Sequence, residues 1–320
     1  MSLQIIKSGF CTLLQDYGRF GMQKYGFSQG GPMDEHAFLW ANKLLNNDFN
    51  DAQIEMCQGG FTAKFLAPTQ IAICGAKANM KLNAQEIEPW RTYAVEHGDE
   101  IHIAGFKSGV YAYLAVKGGF QVPPSLGSCA TVMRENIGGV GLDQHQQGKP
   151  LENNLIVNFP FSDQFPIMPA ATPHEYIPYT DHEVTLRIIP DQTADVSQSL
   201  VDSFLQQEFT LSKDINRMGY RLQSDPTFDS HFDNTASKVR ISRGTSLGTI
   251  QLPPDGQPIV LMKDRQTIGG YPAIACVAFL DIPKLSQSRP STKVRFQLAD
   301  LQELESEVRE YLLFFDVGIT

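Results

Sequence analysis

The absences in this sequence narrow its class before any motif is considered. No apolar run approaches the ~18 residues that a membrane-crossing helix needs, so no membrane partner is expected. The first residues, Met1 to Lys7, carry neither the basic stretch nor the apolar stretch of a secretory leader, which predicts a cytoplasmic protein. Lys and Arg number 26 against 35 acidic residues, and they form no cluster dense enough to track phosphates. Nucleic acid is therefore not an expected partner. The five cysteines (Cys11, Cys57, Cys74, Cys129 and Cys276) form no CxxC pair and are odd in number, so reduced thiols are expected rather than zinc or a disulfide framework. The seven histidines show neither HExxH nor HxH spacing, and no metal site is predicted. No GxSxG elbow occurs. Gly141 with Gly148-Lys149-Pro150 has the composition of a phosphate loop, but the spacing is wrong and Pro150 stands where Ser or Thr is needed.

What is present reads as β structure. The 26 Gly and 19 Pro are spread along 320 residues, which suits short strands joined by turns. One helix is clear near the start: Asp34 is a good N-cap, and Ala37, Phe38, Ala41, Leu44 and Leu45 recur at helical spacing. Strands are then predicted at Ile71–Cys74, Ile101–Ala104 and Val110–Val116, with Gly98-Asp99 and Gly118-Gly119 as turns. Pro123–Gly127 and Gly138–Pro150 read as loops, and Pro166, Pro169, Pro173 and Pro178 as a connector. A second β-rich half opens at Val184–Ile189, with a short helix over Ala194–Gln207. Strands follow at Phe209–Leu211, Ile250–Leu252, Ile259–Met262 and Val294–Leu298. The chain closes on an amphipathic helix over Asp300–Phe315, with Leu301, Leu304, Val308 and Leu312 on one stripe. Turns about every 8–12 residues favour a mainly β fold in two halves, 1–178 and 179–320, built as barrels or sandwiches.

Three segments could carry chemistry. In Gln251–Pro272, Pro254-Asp255-Gly256 is a turn signal, and the strand after it ends in five polar residues, Lys263–Thr267. Gly269-Gly270-Tyr271 then lets backbone approach a ligand beside an aromatic ring. The same pattern also fits a polar hairpin end. In Asn216–Leu222, a strand would place residues 217, 219 and 221 on one face, so Arg217 and Arg221 could clamp a carboxylate or phosphate; two surface arginines are the alternative. In Gln15–Arg19, Asp16 and Arg19 could pair locally or reach a ligand. Met80-Lys81-Leu82 is similar to a biotin attachment site but sits in an alternating, strand-like stretch.

These blocks, taken in order, give a resemblance that covers nearly the whole chain. Leu14–Arg19, Gly30–Asp34, Ala41-Asn42, Ile54-Glu55, Val116–Phe120, Leu126–Ser128, Asn216–Leu222, Thr249–Pro272 and Val294–Phe296 resemble the carboxyltransferase domain family of subdomains A and B, also known as allophanate hydrolase subunit 2. The resemblance implies a cyclophilin-like β-barrel, especially in the second half. Stand-alone members of this length are usually the C-type component of a prokaryotic 5-oxoprolinase, which opens 5-oxoproline to glutamate with ATP cleavage beside A-type and B-type subunits. Fused to a biotin carboxylase, the same pair forms the carboxyltransferase part of urea amidolyase, where biotin would be the cofactor. A further relative is a non-enzymatic antagonist of a kinase inhibitor.

On the leading reading Asp264 is the candidate for proton transfer or a magnesium contact, and Arg217 and Arg221 for anion binding. Gln251, Gln266 and Thr267 would hydrogen-bond the substrate, with Gly269, Gly270 and Tyr271 around it; Asp16 and Arg19 are secondary candidates. Without a phosphate loop here, ATP and its magnesium are expected mainly on the partner subunit. The chain departs from the family at Cys129-Ala130, where Arg-Ser is usual, and at Lys149, where Asp is usual.

Overall fold

A computed structural model describes residues 1–141, 147–161, 169–178, 182–191, 197–224 and 242–318. The chain divides into two compact units, neither continuous in sequence. The first takes Met1–Gly21, Gln29–Tyr179 and Phe314–Thr320; the second takes Met22–Ser28 and Thr180–Leu313.

The first unit is built on a nine-stranded antiparallel sheet among the described residues. Its strands are β1 (Ser2–Lys7), β2 (Cys11–Gln15), β3 (Gln53–Cys57), β4 (Gly59–Phe65), β5 (Thr69–Leu82), β6 (Gln85–Ile87), β7 (Arg91–Val95), β8 (Glu100–Val116) and β9 (Ile156–Asn158). The two predicted strands at Ile101–Ala104 and Val110–Val116 are one element, β8. The Gly105–Gly109 stretch interrupts the apolar pattern without ending the ladder, because the pairing of β8 with β5 shifts register there and continues. Gly75 of β5 stands where the shifts begin, with φ of 113°, and a Cβ there would lie 2.5 Å from the Tyr111 carbonyl oxygen. Only glycine fits. Alternating side chains on these strands, such as Ile71, Ile73, Ile101, Ile103 and Leu114, form one apolar core. Against the sheet lies α1 (Glu35–Leu44), capped as predicted by Asp34, whose carboxylate accepts from the Ala37 amide at 3.0 Å. The Tyr113 hydroxyl donates to Glu55 at 2.7 Å and accepts from the Asp34 amide at 2.8 Å, which fixes the entry of α1 on the sheet.

The second unit is a closed seven-stranded barrel in the order β10-β17-β14-β15-β12-β11-β18. The strands are β10 (Glu183–Pro190), β11 (Phe209–Ile215), β12 (Gly219–Gln223), β14 (Thr249–Gln251), β15 (Ile259–Leu261), β17 (Ala273–Val277) and β18 (Lys293–Leu298). A separate two-stranded ribbon joins β13 (Arg243–Gly244) to β16 (Ile268–Gly269). The barrel closes where β10 runs parallel to β18, pairing Val184 with Val294 and Leu186 with Phe296. Closure removes the unpaired edges that an open sheet of this length would expose. α2 (Gln198–Gln206) covers the barrel by inserting Phe204 between Phe209 and Phe296, with ring centroids 4.9 and 4.8 Å apart. The first residues of its predicted span, 194–196, lie outside the described residues, as do Pro166 and part of the 138–150 loop. A one-turn helix, α3 (Ile282–Ser286), follows β17.

The closing helix α4 (Leu301–Phe314) is present, but its apolar stripe is only partly covered, with Val308 and Leu312 half-buried. Leu304 is its one buried residue, and Leu301 is 54% exposed. Amphipathic spacing established the helix without establishing what it packs against. Residues at its end are held in the first unit, where Phe314 and Phe315 pack on Trp40 at 5.4 and 5.6 Å between ring centroids.

Candidate functional site

The segment singled out in the sequence folds around the barrel strands β14 and β15. Gly256 donates its amide to the Pro253 carbonyl at 2.9 Å, and Asp255 accepts from the Gln257 amide at 3.2 Å, so the predicted Pro-Asp-Gly turn forms. It returns the chain so that Gln251 pairs with Ile259. Lys263, Asp264 and Arg265, which follow β15, are 1%, 3% and 5% exposed. Three consecutive charged residues therefore go inside rather than capping a surface hairpin.

Each of the two motif arginines has a carboxylate of its own. Arg217 holds Asp264 with two bonds, Nε to Oδ2 at 2.8 Å and Nη2 to Oδ1 at 2.9 Å, and both side chains are buried. Arg221 pairs with Asp255 at an exposed position. They do not share a face. β12 begins only at Gly219, so Arg217 precedes the strand whose alternation would have aligned them, while Tyr220 and Leu222 take the inward positions. The expected two-arginine clamp is not formed. Both oxygens of Asp264 are engaged by Arg217, a geometry that suits holding the β12 and β15 ends together, and the Asp264 amide adds a bond to the Arg217 carbonyl at 2.7 Å.

Three of the remaining predicted residues meet at a pocket of about 290 Å³ in the second unit. Gln251, Gly269 and Tyr271 line it. Gln251 is 3% exposed; its Oε1 accepts from the Gln266 amide at 3.2 Å, and its Nε2 has no partner among the described residues. Gly269 leaves the room for that amide, since a Cβ there would lie 2.4 Å from the Gln251 Nε2. The carbonyls of Gln266 and Thr267 accept from the Thr245 hydroxyl and, at 3.0 Å, from the Thr245 amide. Gly270 is exposed beside the pocket, and Tyr271 is 51% exposed at its rim.

The sequence reading missed the other half of this pocket. Asp191, Arg243, Thr245, Ser246, Thr249 and Cys276 also line it. They come from the end of β10, the β13 turn, β14 and β17, so no local spacing links them; Thr249, two residues before Gln251 on the same strand face, carried the one local signal. Arg243 reaches Asp191 across a long contact of 3.5 Å, with 44% of its side chain exposed. Burial pushes the Cys276 thiol up to about 11, against the smaller opposing pull of Arg265. Burial likewise lowers the Arg265 guanidinium to about 10, and its Nε has no partner among the described residues.

The secondary candidates lie in the first unit, in a different kind of environment. Asp16 accepts from the Ser128 hydroxyl and the Cys129 amide, both at 2.6 Å, and from the Gly18 amide at 3.0 Å. Arg19, 1% exposed, donates to the carbonyls of Ser125, Ser128 and Ala130 at 2.9, 3.3 and 3.1 Å. Both fasten the 125–130 loop. Cys129, at the departure from the family pattern, directs its thiol to the Val122 carbonyl at 3.5 Å. Lys81 lies inside the β5 ladder between Glu86 and His102, so it is an ordinary strand residue. Among the described residues no cluster of three His, Cys, Asp or Glu side chains gathers, and no helix is long and apolar enough to cross a membrane.

Comparison with known proteins agrees with this architecture. The C-type component of the Haemophilus influenzae 5-oxoprolinase is 33% identical over 306 residues, covering 95% of this chain and 93% of that protein. The corresponding protein of Escherichia coli is 30% identical over 324 residues, covering 98% and 96%. A urea amidolyase of Saccharomyces cerevisiae is 28% identical across 92% of this chain, which spans only 16% of that protein. The solved urea amidolyase of K. lactis shares the fold, with a TM-score of 0.83 at 24% identity over 99% of this chain and 20% of that one. The family profile of the carboxyltransferase domain, subdomain A and B, matches residues 25–298. The chain belongs to that family.

Proposed function

We propose that this chain is the C-type component of a 5-oxoprolinase, which opens the 5-oxoproline lactam to glutamate with ATP cleavage beside partner subunits of the A and B types. The observation that carries this reading is the extent of the two bacterial matches, each above 90% of both chains. The pocket is compatible with it. A lactam is planar and small, its carbonyl needs a hydrogen-bond donor, and the Nε2 of Gln251, a residue of the pocket lining, is such a donor on strand β14. Gln266, by holding the Gln251 Oε1, fixes which end of the amide faces outward. Thr245 and Thr249 add hydroxyls around the ring.

A magnesium-bound triphosphate does not fit this donor set. Among the described residues the pocket lining has one arginine already opposite a carboxylate and no lysine, whereas phosphoryl groups need several convergent donors. On this reading a partner subunit holds the nucleotide, and this chain binds and orients the lactam. Co-expression with the A-type and B-type partners, followed by an ATP-dependent glutamate-release assay, tests the proposal. Full release from those partners without this chain would overturn it. The alternative, an amide carboxyltransferase, rests on the urea amidolyase match and predicts biotin-dependent carboxylation of urea instead. A purely regulatory protein would co-purify with its partner and support neither turnover.

A further inference from the structure

The carboxylate of an amide or lactam acid needs a cation, and the two arginines of the sequence motif are both engaged elsewhere. Arg217 is bound at two points by buried Asp264, Arg221 is matched by Asp255, and neither lines the pocket. Arg243 does line it, at the β13–β16 ribbon where its strand partner is Gly269. We propose that Arg243 is the specificity-determining residue of this pocket, receiving the carboxylate of a small planar lactam or amide acid whose carbonyl accepts from the Gln251 amide nitrogen. The proposal rests on the functional reading above and adds the chemistry that selects the ligand.

Four features support it. The pocket volume of about 290 Å³ sits at the small end for ligand sites, room for a single-ring acid. The Gln251 side chain is buried in the pocket lining, and its Nε2 has no partner among the described residues, so a ligand acceptor completes it. The Arg243–Asp191 contact is long, 3.5 Å, whereas a free carboxylate can take a guanidinium in two short parallel bonds. Finally, Arg265 carries a second buried guanidinium close enough to Cys276, on the pocket wall, for each to shift the other's titration. Asp191 competes with the ligand for Arg243, and departure of the ligand returns Arg243 to it.

Calorimetry on the complex of this chain with its A-type and B-type partners, without nucleotide, tests the proposal using 5-oxoproline and 2-pyrrolidone, the same lactam lacking the carboxylate. Wild type is expected to bind 5-oxoproline on the order of 10- to 100-fold more tightly than 2-pyrrolidone, the range of a charge-assisted hydrogen bond. Arg243→Met abolishes that preference while leaving 2-pyrrolidone binding unchanged, and Arg243→Lys retains part of it. Asp191→Asn, which removes the competing acid, binds 5-oxoproline several-fold more tightly, a gain that a merely structural ion pair would not give. Failure of wild type to bind 5-oxoproline, an unchanged preference in Arg243→Met, or weaker binding in Asp191→Asn overturns the proposal. The two readings fail separately. An Arg243-dependent preference in a complex that releases no glutamate leaves the pocket standing and removes the reaction. Glutamate release unaffected by Arg243→Met does the reverse.

Discussion

Both units bury an arginine and an aspartate that the sequence motifs single out, yet the two settings work differently. In the first, Arg19 and Asp16 satisfy loop carbonyls, a hydroxyl and amides between residues 18 and 130, so their polarity is directed at the protein's own loop. In the second, Arg217 and Asp264 satisfy each other, and within the same unit Gln251 and Arg243 bring polar atoms to a pocket. Buried charge alone is a poor guide to function. What separates the two regions is whether the surrounding strands leave a volume for something other than protein. The closed barrel does so where the β13–β16 ribbon adjoins β14 and β17.

The comparison can be broken at four points. Replacing Asp264 by Ala removes the carboxylate that the buried Arg217 guanidinium holds with two bonds, and a loss of about 3–5 kcal/mol in urea unfolding is expected; a loss below about 1 kcal/mol would mean that the pair is not structural. Asp16→Ala removes three hydrogen bonds from the 125–130 loop and its approach, and should cost about 2–3 kcal/mol while 5-oxoproline binding stays within about twofold of wild type. If binding falls with it, the first unit is not merely scaffold. Gly269→Ala forces a methyl group against the Gln251 amide; an order-of-magnitude drop in 5-oxoproline affinity is expected with a stability loss of only about 1 kcal/mol, read by calorimetry and thermal melting. Arg221→Ala opens an exposed pair and should change stability by less than about 1 kcal/mol and glutamate release not at all. A large effect there would restore the arginine clamp that the geometry argues against.

The β-rich halves, the first helix with its Asp34 cap and the Pro254-Asp255-Gly256 turn were legible in patterns of neighbours within about four residues, whereas strand spacing left barrel and sandwich open and the family resemblance implied the barrel. Gln251, Gly269 and Tyr271, which line the pocket, could be singled out for the same reason: one strand, one turn and one diglycine carry them. Arg217 and Arg221 misled because their spacing implied a shared strand face, and the strand starts two residues too late. α4 was legible as an amphipathic helix, but helical periodicity states only which side is apolar and not how much of it is covered: Leu304 is buried while Leu301 remains 54% exposed.

By itself the sequence determined the mainly β character, the family and the segment on which to look, since these follow from local propensity and ordered motifs. The tertiary structure alone decided which acids the arginines meet and that Asp191, Arg243, Thr245 and Cys276 join Gln251 at one pocket. Closure of a barrel brings residue 191 beside residue 243 and residue 276, separations that no period of 2 or 3.6 encodes.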